Sequence, residues 1–87
     1  MTNPIWDMAI SLKEFKRTLK NPRSERFLPF FVRVLCRVPF REAFRHFISA
    51  GVYKKHYPKA RRFVNSDPLG AGRVPFWDFL YKQMKTK

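Results

Sequence analysis

The run from Phe27 to Pro39, FLPFFVRVLCRVP, sets the fold class of this 87-residue chain, because it can be read as helix or as strand. Pro29 fits the first turn of a helix beginning near Ser24 or Leu28, where a missing N–H costs nothing. From there to about Val38 the segment is apolar all round apart from Arg33 and Arg37. A helix without a polar face is normally buried on every side. We read it as a helix wedged between the chain's own core and a partner. The rival is a strand, since Val32 to Val38 is rich in β-branched residues and partly alternating.

Upstream, Asn3-Pro4 reads as an N-cap followed by proline at the first helical position. Ile5, Met8, Leu12, Phe15 and Leu19 then recur at spacings of three and four, one apolar stripe. Lys13, Lys16, Arg17 and Lys20 lie off it, and Asn21-Pro22 closes the helix. Two heptads are too few for an independent coiled coil, so the stripe is expected to dock on a larger body. The same segment has the amphipathic character of a mitochondrial targeting element, without the arginine and serine richness of a presequence.

Downstream, Pro39 opens a third helix from Phe40 to about Ala50, with Phe40, Phe44, Phe47 and Ile48 inward and Gly51 as its terminator. Residues 51–74 lose the helical pattern, hold Pro58, Pro68, Gly70 and Gly72, and carry a net charge of +5. They read as an extended basic connection. Pro75 starts a last helix, with Phe76, Phe79, Leu80 and Met84 on one side. The expected architecture is mainly α: three to four short proline-punctuated helices plus an extended basic loop, not an autonomous compact domain. Residues 1–50 would form its helical part, 51–74 the basic segment and 75–87 the C-terminal helix, all within one small domain.

Composition narrows the function. Nineteen Lys and Arg face six Asp and Glu, for a net charge of +13, yet ten Phe, three Tyr and two Trp are present as well. A disordered basic tail has few aromatics, and a lone soluble domain is disfavoured by so much self-repulsion. A large anionic partner is therefore expected to complete both charge and fold. Cys36 is the only cysteine, so no internal disulfide compensates for a thin core. No uncharged run approaches the length of a membrane span.

Two constellations suit anions. Tyr53, Lys54, Lys55, Tyr57, Lys59, Arg61 and Arg62 interleave aromatic and cationic side chains, as a segment that follows an RNA backbone and stacks on bases would. Arg33, Arg37, Arg41 and Arg45 are spaced four apart, and Pro39, unable to donate an N–H to Leu35, divides them into two pairs. Ile5, Met8, Leu12, Phe15, Leu19, Phe76, Phe79 and Leu80 are the expected docking residues. Nothing is spaced for catalysis, a metal or a cofactor: His46 and His56 have no ligand-spaced neighbours, and Leu69–Arg73 is only half a dinucleotide loop. The expected function is a non-catalytic subunit of a large mitochondrial assembly. The foremost choice is a small ribosomal protein on rRNA and its protein neighbours. The alternative is an accessory subunit of a respiratory complex or ATP synthase, facing anionic lipid such as cardiolipin and other subunits.

Overall fold

A computed structural model describes residues 10–85. The Phe27–Pro39 run is helical: α2 spans Phe27–Arg37, and no strand occurs among the described residues. Pro29 sits in its first turn, as its chemistry allows. Val38 is extended (ψ 131°), and Pro39 breaks the chain there.

Before it lies α1, Leu12–Leu19. Its N-cap is Ser11, whose Oγ accepts from the Glu14 N–H at 3.1 Å, in a Ser-x-x-Glu arrangement. The apolar stripe is thus interrupted by extended backbone at Ser11 (ψ 155°). The expected cap at Asn3, and Ile5 and Met8 with it, lie outside the described residues.

After Pro39 the chain makes a short α3, Phe40–Glu42, that widens into a π-turn, Ala43–Phe47, closed by Ile48 N–H donating to the Ala43 carbonyl at 2.9 Å. The next helix corrects the sequence reading. Residues 51–74 are not an extended connection: α4 runs from Ala50 to Ser66, capped by Ser49 Oγ, which accepts from the Val52 N–H. Gly51 therefore stands in the first turn of a helix instead of ending one. Tyr53, Tyr57, Ala60 and Val64, spaced four, three and four, are its buried stripe. Pro58 is tolerated because it and Lys54, whose carbonyl it leaves unbonded, are exposed and open to water. An Asx turn at Asp67 and a 3₁₀ turn, Ala71–Arg73, lead into α5, Val74–Lys85.

One core joins these elements. Phe15 and Leu19 of α1, Phe31, Val34 and Leu35 of α2, Phe47 of the π-turn, the α4 stripe and Trp77 of α5 belong to a single buried cluster. Phe15 stacks on Phe30 (4.7 Å) and meets Phe47 edge-on (5.9 Å). The Cα radius of gyration is 12.1 Å, the value for a compact globule of this length, about 12 Å. The expectation of a non-compact chain is corrected accordingly. The physical reason is α4, a 17-residue amphipathic helix that takes up most of the stretch where a loop was expected. No helix among the described residues is long and apolar enough to cross a membrane.

The break at Pro39 is repaired by tertiary structure. Proline leaves the Leu35 carbonyl without its helical donor, and the Trp77 indole N–H bonds that oxygen at 2.9 Å. Arg73 Nη2 donates to the Val38 carbonyl at 2.6 Å, while its guanidinium lies 5.5 Å over the Trp77 ring. The end of α2 is therefore capped by side chains that arrive with α5.

His56 gives the α2–α4 contact a pH dependence. Its ring meets Phe27 at 4.8 Å and Phe31 at 6.5 Å, and its buried Nε2 has no hydrogen-bond partner. Burial first, then the charges of Lys55 and Lys59, hold its pKa below the ordinary 6.5. The unfolded chain therefore takes up the proton first. His56 contributes full stability above about pH 6.5, and that contribution is lost as the pH falls through the folded-state value. Urea midpoints at pH 8 and pH 5.5 should differ less in His56→Phe than in the parent; equal differences would show that His56 is not the titrating group.

Candidate anion-binding surface

Helix α4 carries Lys54, Lys55, Lys59, Arg61 and Arg62 and no Asp or Glu, and all five cations are exposed. Its amphipathic pattern fixes where they point. With the tyrosine stripe turned inward, Lys55, Lys59 and Arg62, at spacings of four and three, form a row on the opposite side. Lys54 lies beside that row. Phe63 flanks it on the other side, with the Arg62 guanidinium 4.9 Å over its ring.

The structure divides the expected site residues into different roles. Tyr53 and Tyr57 are fully buried, so neither ring offers a face to a base. Their hydroxyls are used internally: Tyr53 donates to the Trp77 carbonyl, and Tyr57 donates to Asp78 Oδ1 at 2.6 Å. Burial raises both phenol pKa values, and the neighbouring Asp78 raises them further. Arg61 is engaged as well. Its Nε and Nη2 each donate to an Asp78 carboxylate oxygen at 2.8 Å, a bidentate fork. Those bonds hold the Asp78 carboxyl below its usual range, with help from Tyr57 and against partial burial. What the segment brings together for an external anion is Lys54, Lys55, Lys59 and Arg62.

The four spaced arginines are separated as Pro39 dictates. Arg33 and Arg37 lie a turn apart on α2, half-buried, and line a hollow with Asp67. Arg41 and Arg45 are exposed on α3 and the π-turn, and the Arg41 guanidinium lies 5.9 Å over the Phe40 ring. No single arginine stripe exists.

The expected docking residues also part company. Phe15 and Leu19 face the chain's own core, with Leu12 packed at its margin. Phe76 and Phe79 are open, at 40% and 60% exposure, with Leu80 half-buried between solvent and core. Phe40 joins them, its ring 5.0 Å from that of Phe76. The sequence reading that turns Phe40 inward is corrected: Phe40 is exposed, and its pairing with Phe76 is invisible in sequence because α3 and α5 meet only in three dimensions. Sequence reasoning misses Asp78 as the anchor of Arg61 for the same reason, the two being 17 residues apart. Leu69–Arg73 holds the turn that delivers Arg73 to the end of α2.

No family model matches this chain, and no curated protein or solved structure matches it either.

Proposed function

We propose that this chain is a non-catalytic structural subunit of a large assembly, and that it holds the phosphates of a folded RNA on the outward face of α4. The assembly we favour is a mitochondrial ribosome. The observation that carries the reading is α4 itself: with Arg61 paired to Asp78, it has no carboxylate of its own and an inward stripe that leaves Lys54, Lys55, Lys59 and Arg62 to solvent. With both tyrosines in the core, recognition would rest on the phosphate backbone without base stacking, and so would be insensitive to sequence and sensitive to salt. Charge neutralisation is the chemistry.

The test is binding of a structured RNA hairpin at several salt concentrations, to the parent and to the variant K54Q/K55Q/K59Q/R62Q. For every phosphate that the variant no longer neutralises, the log–log salt slope should flatten by about 0.7–0.9. The full variant should bind more than tenfold more weakly below about 0.1 M salt, with unchanged circular dichroism. An unaltered slope would remove α4 from the interface and with it this reading.

A second reading is favoured by a different observation. Phe40, Phe76 and Phe79 form an open aromatic patch on a cationic protein, a combination that also suits an accessory subunit seated beside anionic lipid in a mitochondrial membrane complex. Pull-down of the tagged chain from detergent-solubilised mitochondria, with and without ribonuclease, separates the two. Ribonuclease-sensitive recovery of ribosomal components supports the first; insensitive recovery of respiratory or ATP synthase subunits supports the second.

A further inference from the structure

The π-turn sets Arg45 and His46 side by side in water while Phe47 and Ile48 turn inward. Lys20, just past the end of α1, is exposed as well. These three side chains line one open hollow of about 440 Å³, whose floor includes Leu19, Phe47 and Val52. A fourth cation stands close by: Lys16, one turn before Lys20, holds its ammonium 5.4 Å over the Phe47 ring. No Asp or Glu lines the hollow. Among the described residues, the carboxylates nearest in sequence stand outside it. Glu14 lies about 120° round α1 from Lys20, and Glu42 precedes the π-turn and is not part of the lining.

The hollow opens at the start of α4, on the side that carries the cationic row. Val52 lies about 20° round the helix from Lys59 and about 60° from Lys55, at 100° per residue. It precedes Lys59 by about 10 Å along the axis, at 1.5 Å per residue. A run of phosphates that follows Lys59 and Lys55 back along α4 therefore arrives at the hollow within two turns. A second copy of the chain would bring another +13 to a cationic rim. An uncharged apolar group would cover the floor and leave the rim unmatched. A phosphate accepts charge-assisted bonds from Lys20 and from the planar donors of Arg45, and its sugar can rest on the floor. We infer that the hollow seats a backbone phosphate of the RNA that α4 holds, so that the anion track runs from Arg62 back past Ser49 to Lys20. This rests on the RNA reading of α4 and adds to it a contact built from α1 and the π-turn.

The experiment is binding of a structured RNA hairpin to the full chain across a salt series, for the parent, for K20Q/R45Q and for K54Q/K55Q/K59Q/R62Q. All six of these side chains are exposed, and Ser49, which caps α4, is left in place. K20Q/R45Q should flatten the log–log salt slope by about 0.7–0.9, the share of one phosphate. R23Q/R26Q removes the same charge from the exposed link before α2 and should leave the slope unaltered. Location is read separately. In a Cys36→Ala background, His46→Cys carrying an iron–EDTA group should cut the backbone of the bound hairpin. The same group on Phe79→Cys, on the exposed face of α5, should not. A slope unaltered in K20Q/R45Q but flattened in the α4 variant would overturn this inference and keep the RNA reading. Slopes unaltered in both would overturn the two together. Equal flattening by R23Q/R26Q, or cutting from Phe79→Cys as strong as from His46→Cys, would reduce the hollow to bulk charge and overturn it too. So would uridine monophosphate that binds as tightly as the hairpin and loses that affinity in K20Q/R45Q, or a loss in K20Q/R45Q seen only with vesicles of anionic phospholipid.

Discussion

Trp77→Ala should lower the stability of this protein by about 3–5 kcal/mol, the cost of emptying a large aromatic site in a packed core. Trp77 is fully buried and touches the rings of Phe44, Tyr53 and Phe76 at 5.5–6.3 Å. Two further losses accompany the cavity. The Leu35 carbonyl, already deprived of a donor by Pro39, would lose the indole N–H that replaces it, and a buried acceptor left unmade costs about 1–3 kcal/mol. The Arg73 guanidinium would lose the ring beneath it. Stability of a domain this size is about 4–13 kcal/mol at roughly 0.05–0.15 per residue, so the variant should lose a large fraction of it. Trp77→Phe keeps most of the ring volume while removing the donor, so its loss should be smaller, about 1–3 kcal/mol. Urea titration followed by circular dichroism measures both. A Trp77→Ala midpoint equal to the parent's would mean that α5 does not cap α2.

The second large effect is expected at Gly70. A Cβ there would lie 2.5 Å from Cys36 Sγ, 2.5 Å from the Val64 carbonyl oxygen and 2.9 Å from Val64 Cγ1. Its φ of −92° is open to any residue, so the requirement is for space and not for an unusual backbone. Gly70→Ala must push the Asp67–Arg73 turn away from both α2 and the end of α4, at about 1–3 kcal/mol for an overpacked site. Cys36→Ala in the same chain removes the sulfur but leaves the Val64 carbonyl, so it should restore only part of the loss. Full restoration would place the whole conflict on the thiol. Burial, with Asp67 nearby, pushes that thiol's pKa up to about 11. Alkylation of Cys36 at pH 8 should therefore be slow in the parent and faster in Gly70→Ala, where the turn above it is displaced.

Helices α2 and α5 are legible in the sequence because their proline starts and apolar spacing act within a few residues. The end of α1 at Asn21-Pro22 is legible for the same reason. α4 is not, although Tyr53, Tyr57, Ala60 and Val64 recur at helical spacing. Pro58 and the dense charge point to a loop, and alternation with lysines makes the tyrosines look like ligand contacts when they belong to the core. Ser49 and Ser11 are the local signals that mark the true helix starts, each a side-chain oxygen three residues before the N–H it accepts from. The candidate surface is legible as charge and not as partners. Lys54, Lys55, Lys59 and Arg62 follow from one helix, whereas the Arg61–Asp78 fork and the Phe40–Phe76 contact depend on how separate helices meet.

The π-turn at Ala43–Phe47 holds one residue more than an α-helical turn would. That surplus lets Phe47 and Ile48 both enter the core while Arg45 and His46 stay in water. Losing one residue here would not shorten a loop. It would restore the tighter turn and rotate the downstream chain by about 100°, carrying Phe47 away from Phe15. The core would thus accept other polar residues in place of Arg45 and His46, while an insertion or deletion between Glu42 and Ile48 would be selected against. For the core, tolerance of change at this point is a matter of length, not of identity.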